Sequence, residues 1–248
     1  MLRLFLIAFF LFWFLVLGIL VRIVLRIVCL RNKPLRDITS LRIVQGAFRL
    51  ILFIAGVRLT VIGEENVPKD RSVLYIGNHR SFFDIVITYA RTPGLTGYIA
   101  KKEILKVPLL RDWMKDLYCL FLDRDDIKEG LKTILTAIEY EKQGISVAIF
   151  PEGTRNKGDG EDILPFHDGS FKIALKSGCP IVPMTLNNSA AIFEEHFPKI
   201  KPARVVLEYG KPIETASLSR EEQKNIAQRV REEMLATYRK NMALLSEK

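Results

Sequence analysis

The sequence contains few of the residues that hold metals or form disulfide bonds. Its 248 residues include only three histidines and three cysteines. Three scattered histidines offer no ligand cluster, so a metal hydrolase is disfavoured and no metal site is predicted. Cys29, Cys119 and Cys179 are odd in number and set in apolar sequence, which is typical of buried thiols in a reducing compartment. No zinc-finger spacing or RNA-binding aromatic signature is present, so no nucleic-acid partner is expected.

Acidic residues are almost missing from the amino-terminal quarter of the chain. The residues before Thr60 include nine Lys or Arg and one acid, Asp37, which is +8 of the net charge of +9. Residues 4–21 form an apolar run without a charge, long enough for a membrane span. A signal peptide is disfavoured because no small-x-small cleavage site follows. Arg22 and Arg26 come next, which places the rest of the chain on the cytoplasmic side of the cell membrane.

Residues 35–57 show apolar side chains at helical spacing, with Arg42 and Arg49 seven residues apart. Two interpretations are equally supported: a basic helix in the lipid headgroup region, or a helix packed on the protein itself. Residues 1–56 are therefore predicted to be membrane-associated helices, as a single span or as a monotopic anchor. Residues 57–248 are predicted to form the second domain, with a charged helix at its end.

The second domain alternates short apolar runs with helical patterns, which predicts an α/β fold. We expect a mixed, mostly parallel sheet flanked by helices. Strands are predicted at 58–62, 73–76, 98–100, 119–122, 145–150, 181–186 and 205–209, and helices after residue 84 and at 127–143, 169–176 and 219–245.

His79 follows the second predicted strand, and Asp84 lies in the first turn of the next helix. The carboxyl edge of an open α/β sheet is where ligands bind. A neutral imidazole there can take a proton from an alcohol while a carboxylate holds its tautomer. An alternative is structural: Ser81-x-x-Asp84 also has the pattern of a helix cap.

A second polar stretch, Pro151 to Arg155, follows another predicted strand and should lie at the same sheet edge. Gly153 allows close backbone approach, Thr154 has a hydroxyl, and Arg155 has a planar fork suited to phosphate.

Together these stretches resemble the 1-acylglycerol-3-phosphate (lysophosphatidate) acyltransferases, one of the glycerolipid acyltransferase families. The matching blocks, in the family's order, are Asn78-His79-x4-Asp84, Lys101 to Ile104 with Asp123-Arg124, Pro151-Glu152-Gly153-Thr154-Arg155, and Val182-Pro183.

The resemblance implies acyl transfer to lysophosphatidic acid in phospholipid biosynthesis, giving phosphatidic acid. His79 and Asp84 would be catalytic, and the resemblance places seven residues at the substrates: Asn78, Lys101, Arg124, Glu152, Gly153, Thr154 and Arg155. Acyl-CoA or the acyl thioester of acyl carrier protein (acyl-ACP) would be the donor, membrane lipid a further partner, and no cofactor is expected.

The chain departs from the family where Arg111 and Tyr118 replace glycines, in a stretch that borders the family's substrate channel. His167 also stands where relatives often have a basic residue. The alternatives are another lysolipid acceptor, a hydrolase using Cys119 or Cys179, and a lipid-binding module without catalysis.

Overall fold

The computed structural model describes residues 1–158 and 162–246. Two long helices come first, α1 (Leu2–Val28) and α2 (Lys33–Ala55). The Asn32 side chain caps α2 by accepting from the backbone N–H of Leu35 at 3.1 Å, and Gly56 ends it in the left-handed conformation.

The remaining chain forms a seven-stranded sheet, as the alternating pattern predicts. Its strands are β1 (Arg58–Ile62), β2 (Leu74–Gly77), β3 (Thr96–Lys101), β4 (Leu120–Leu122), β5 (Ser146–Ile149), β6 (Ile181–Asn187) and β7 (Arg204–Tyr209). The spatial order is β1-β7-β6-β2-β5-β3-β4, and only the β6–β7 pair is antiparallel. The predicted mixed, mostly parallel sheet is confirmed.

The described residues form five further α-helices: α3 (Phe83–Tyr89), α4 (Pro108–Asp116), α5 (Ile127–Lys142), α6 (Lys172–Ser177) and α7 (Arg220–Ser246). Helices α1 to α4 cover one face of the sheet, and α5 to α7 cover the other. A capping box begins α7, because Ser219 and Glu222 exchange side chain-to-backbone hydrogen bonds. Helix α4 is a difference from the sequence prediction, which has no helix there.

Helix α2 is packed on the protein, which supports the second of its two interpretations. Its buried Leu41 and Ile51 belong to the same apolar cluster as the sheet residue Tyr75. The two arginines expected among lipid headgroups reach the carboxyl end of α3, where Arg42 donates to Pro93 O and Arg49 to Ala90 O. Cations at a helix carboxyl end are stabilised by its unpaired carbonyls.

Helix α1 lies along the body and contacts it near both of its ends. At its start, the Arg3 guanidinium lies beside Gly56. Near its end, Arg22 Nε donates to Asp116 at 2.5 Å, and Gly18 packs directly against the Trp113 ring of α4. Its other side leaves a continuous row of Phe and Leu side chains exposed. By length and composition, both α1 and α2 could cross a membrane.

The apolar stripe predicted for α5 is only partly buried. Ile138 packs in the core, but Ile127, Leu131 and Leu135 are 89%, 56% and 53% exposed. The amino-terminal half of α5 lies beside β4, an edge strand of only three residues, and a strand that short cannot cover the whole apolar face.

Tyr118 adopts the left-handed conformation, with φ of 61°. This conformation favours glycine, which is the residue the family resemblance places in this stretch. The Tyr118 hydroxyl donates to Asp37 and accepts from Lys33, both on α2. These contacts fix the chain between α4 and β4 to the amino-terminal helices.

Candidate active site

The site forms where β2 and β5, adjacent parallel strands, both end. Ile76 of β2 pairs with Ile149 of β5, so the loops that follow the two strands leave the sheet side by side. The backbone N–H of Asn156 donates to His79 O at 2.7 Å, which links the loops directly. The two sequence blocks are therefore one site, as their positions after parallel strands predict.

His79 and Asp84 form a hydrogen-bonded pair. His79 Nδ1 lies 2.8 Å from Asp84 Oδ2, and this oxygen also accepts from the backbone N–H groups of Arg80 and Ser81, each at 2.7 Å. Because Asp84 Oδ2 is the acceptor in these contacts, the donor in the contact with His79 is Nδ1, which therefore carries the proton. The carboxylate of Asp84 therefore orients the imidazole and also bonds the turn that leads into α3.

The imidazole is held on its other side by Phe150. The two rings stack with centroids 4.5 Å apart, and the His79 side chain is 17% exposed, whereas the Asp84 side chain is fully buried. His79 Nε2 has no hydrogen-bond partner among residues 1–158 and 162–246. A neutral His79 thus presents an unshared electron pair at an accessible position, as a general base requires.

Glu152 joins three segments of the site. One carboxylate oxygen accepts from His79 N at 2.5 Å, and the other accepts from Leu164 N at 2.9 Å. Burial raises the pKa of Glu152 to about 7, and these two hydrogen bonds partly oppose that rise. Both oxygens bond backbone groups, so Glu152 is placed to position the loop of His79, and the substrate contact expected from the motif stays a prediction.

Asn78 is also part of the scaffold. Its side chain is buried and exchanges two hydrogen bonds with the backbone of Leu186, donating to O at 2.9 Å and accepting from N at 2.7 Å. These bonds tie the end of β2 to β6. We therefore place Asn78 behind the site instead of against substrate.

A groove of about 710 Å³ opens beside the pair, with Phe150 forming the wall between His79 and the groove. Of the nine predicted site residues, it is lined by Arg124, Glu152, Gly153 and Thr154. Its remaining lining comes from the ends of β3, β4 and β5, from α5 with the loop before it, and from residues 167–170, and it combines apolar side chains such as Ile99, Leu122 and Ile134 with polar ones. A mixed lining of this kind suits a ligand with a charged end and an apolar body.

The predicted cations near the groove differ in their partners. Arg124 is exposed and has no ion-pair partner within the described ranges. The neighbouring acids Asp123 and Asp125 both pair with Lys102, whose Nζ lies 2.6 Å from Asp123 Oδ1. Lys101 lies at the end of β3, is exposed and pairs with Glu103 at 3.2 Å.

Arg155 lies outside the groove lining, on the side of the loop that faces α3. Its Cζ lies 3.8 Å from the centre of the Phe82 ring, and its Nη1 lies 3.3 Å from Glu194 Oε1. Sequence reasoning did not find Glu194, because it lies in an irregular segment after β6 and belongs to no recognisable motif.

Gly153 has a φ of 71° and lies against His167. A Cβ at this position would come within 2.9 Å of His167 Nε2, so the turn requires glycine on two grounds. His167 lines the groove, and sequence reasoning gave it no specific role.

The thiols are poorly suited to nucleophilic catalysis. Burial raises the pKa of Cys119 to about 11 and that of Cys179 to about 12, so neither is a thiolate near neutral pH. Across the described chain no group of His, Cys, Asp and Glu is arranged to hold a metal ion.

Known proteins resemble this chain over the region that contains the site. The acyltransferase family model matches residues 58–187, which is just over half of the chain and contains both loops. This chain belongs to the acyltransferase family. It is 30% identical to the 1-acyl-sn-glycerol-3-phosphate acyltransferase of Borreliella burgdorferi over 79% of this chain and 78% of that protein.

Two other members support the same placement. The 1-acyl-sn-glycerol-3-phosphate acyltransferase of Saccharomyces cerevisiae is 29% identical over 77% of this acyltransferase and 63% of the yeast protein. The crystal structure of the 1-acyl-sn-glycerophosphate acyltransferase of Thermotoga maritima superposes with a TM-score of 0.81, at 23% identity, covering 96% of this chain and 95% of that one. That likeness establishes the fold.

Proposed function

We propose that this acyltransferase moves a fatty acyl group from an acyl thioester to the free hydroxyl of 1-acylglycerol 3-phosphate, giving phosphatidic acid. The observation that carries the proposal is the His79–Asp84 pair, with Nδ1 bonded to a fully buried carboxylate and Nε2 unpartnered. A binding module has no need of such a base. The names of the relatives supply the acceptor.

In the proposed mechanism, His79 Nε2 takes the hydroxyl proton as the acceptor oxygen attacks the thioester carbonyl. Asp84 stabilises the imidazolium that forms. The carbon–sulfur bond then breaks, and the leaving thiolate takes the proton back from the imidazolium, which releases CoA or acyl carrier protein with a free thiol. No acyl-enzyme is required, because the thioester is already activated.

The oxyanion of the intermediate needs hydrogen-bond donors, and the turn after β5 offers them. The Gly153 N–H is already used, since it donates to Phe150 O at 3.1 Å. The backbone N–H groups of Thr154 and Arg155 have no acceptor among the described residues. We assign the oxyanion to these two groups.

The acceptor phosphate is assigned to cations on the rim, with Arg155 first, because its guanidinium can bind two phosphate oxygens at once. Lys101 and Arg124 are the further candidates, and Arg124 lines the groove with no ion-pair partner in the described part of the chain. Acyl-CoA and acyl-ACP are both compatible donors.

We further propose that residues 1–56 anchor the enzyme monotopically, with the catalytic body on the cytoplasmic side of the cell membrane. Because Ile7 near the start of α1 is buried in the apolar cluster of the body and Arg22 near its end bonds Asp116, α1 cannot stand across a bilayer while residues 57–248 remain outside it. The exposed apolar side of α1 would enter one leaflet.

The function is tested with purified enzyme in mixed micelles, supplied with labelled acyl-CoA or acyl-ACP and a panel of lysolipids. We expect phosphatidic acid from 1-acylglycerol 3-phosphate, and turnover at least tenfold lower with lysophosphatidylcholine or glycerol 3-phosphate. Preferential acylation of another lysolipid would overturn the acceptor. Thioester hydrolysis without transfer would overturn the reaction.

A further inference from the structure

The carboxylate of Glu194 lies between the two loops of the active site and bonds to both of them. Glu194 begins a short 3₁₀ segment, Glu194–His196, in the chain between β6 and β7. Its Oε2 accepts from Ser81 Oγ at 2.6 Å, and its Oε1 accepts from Phe82 N at 2.8 Å. The same Oε1 lies 3.3 Å from Arg155 Nη1. No sequence block or comparison gives this residue a role.

Arg155 is restrained on two sides by this arrangement. The Phe82 ring covers one face of the guanidinium, with 3.8 Å from Cζ to the ring centre. Glu194 uses Nη1, and among the described residues the other guanidinium donors have no acceptor. The ion pair is partly exposed, since the Arg155 side chain is 36% exposed and the Glu194 side chain is 21% exposed. The remaining edge of the guanidinium is therefore open to a ligand. An oxyanion such as phosphate can take two parallel hydrogen bonds from that edge.

We propose that Glu194 is a positioning residue that holds Arg155 in the orientation that binds the acceptor phosphate, an inference that rests on the proposed function. Glu194 acts through Arg155 and does not touch the substrate itself. Its bonds to Ser81 and Phe82 fix the distance between Arg155 and the turn of the base, because Ser81 N also bonds Asp84. With this distance fixed, the acceptor can bind Arg155 through its phosphate while its hydroxyl lies at His79.

The test compares steady-state kinetics of the Glu194→Gln enzyme with those of wild type, varying acceptor and donor separately. Glutamine can still accept from Phe82 N and bond the Ser81 hydroxyl, so the turn keeps its ties while Arg155 loses its charged partner. A charge-assisted hydrogen bond contributes enough that we expect the acceptor KM to rise about tenfold. The donor KM and kcat should change by less than about threefold.

Four further variants make the result specific. Glu195→Gln is the matched control, since Glu195 is exposed and adjacent but is not placed at either substrate. It should leave all constants at wild-type values. In a cycle with Arg155→Lys, the double variant with Glu194→Gln should raise the acceptor KM no further than Arg155→Lys alone, because Glu194 then has no guanidinium to orient. Glu194→Ala should raise the acceptor KM at least as far as Glu194→Gln.

The failures of the two proposals are distinguishable. An Arg155→Lys enzyme with a raised acceptor KM, combined with Glu194→Gln and Glu194→Ala enzymes of wild-type acceptor KM, would overturn the role of Glu194 and leave the proposed function intact. The role of Glu194 would also be overturned if the rise in acceptor KM of the double variant equalled the product of the rises caused by Arg155→Lys and Glu194→Gln alone. An Arg155→Lys enzyme that raised only the donor KM would instead overturn the assignment of the acceptor phosphate.

Discussion

Two buried glutamates flank β5, one at each edge of the sheet, and they have different surroundings. Glu152 follows the strand at its carboxyl edge, and Glu141 lies at the amino edge, where its Oε1 accepts from Val147 N at 2.8 Å. Burial raises the pKa of each to about 7. Glu152 has a backbone N–H on both oxygens, whereas Glu141 Oε2 has no hydrogen-bond partner among the described residues.

The comparison separates a shared electrostatic property from a role in the reaction. A raised pKa alone marks both carboxylates as functional-site candidates. Only the carboxyl edge combines it with an imidazole, an open groove and cations. At the amino edge, Glu141 lies beside the buried thiol of Cys179 and is itself buried. We assign catalysis to the first edge and fold stability to the second.

The largest expected effect is at the carboxyl edge. His79→Ala should lower kcat by roughly 10²–10⁴, the range for loss of a general base. The measurement is labelled-acyl transfer under saturating substrate, with circular dichroism to verify that the variant is folded. A folded variant with near-native turnover would remove His79 from the mechanism.

A smaller effect is expected from Glu152→Ala. The substitution leaves the partly buried N–H groups of His79 and Leu164 without acceptors, at a cost of up to about 1–3 kcal/mol each. We expect a lower melting temperature together with a fall in kcat of about tenfold to a hundredfold, since a displaced base reacts poorly. If stability fell while kcat stayed at the wild-type value, Glu152 would serve the fold without positioning His79.

At the amino edge, Glu141→Gln should change stability and leave turnover near wild type. Because the folded-state pKa of Glu141 lies above the ordinary 4.5, its stabilising contribution is complete below pH 4.5 and is lost as the pH rises to 7. The wild-type slope is at most about 1.4 kcal/mol per pH unit for this group. A neutral glutamine removes this slope.

Melting temperatures between pH 5 and 8 would measure this difference, and Glu139→Gln, on the exposed side of the same helix, is the control. We expect the Glu141→Gln protein to lose less stability between pH 5 and 7 than wild type. Identical pH profiles would contradict the raised pKa.

The smallest effect is expected from Cys179→Ser, which should leave kcat within about twofold of wild type. The thiol is buried, and its raised pKa keeps it protonated. Loss of turnover in a folded variant would show that the amino edge contains a catalytic group, which contradicts the assignment of catalysis to the carboxyl edge. Cys119→Ser provides the same check on the other face of the sheet.

Much of the carboxyl edge was predictable from the sequence, because local signals coincide with it. Short apolar runs end at polar loops, and parallel strands bring the ends of such runs together. Those rules place His79, Asp84 and the Gly153 turn correctly without any coordinates. The geometry adds that Asn78 and Glu152 bond backbone groups, which a motif cannot show.

Other parts depend on long-range packing and carry no local signal. Glu194 bonds Arg155, which is 39 positions away in the sequence, and Ser81, which is 113 positions away. No sequence pattern near Glu194 indicates either contact. The helical spacing of α2 predicts an amphipathic helix but does not distinguish a lipid surface from the body of the protein. The exposed Ile127 on α5 shows the same limit, because apolar periodicity predicts a face and not what covers it.

The central claim is that His79 and Asp84 act as one unit, and a double-mutant cycle tests it most directly. kcat/KM for the lysolipid acceptor would be measured for His79→Ala, Asp84→Asn and the double variant, each verified as folded. Residues that act as a unit are strongly non-additive. We predict that the double variant is no slower than the worse single variant. Independent, multiplying losses would contradict the paired mechanism.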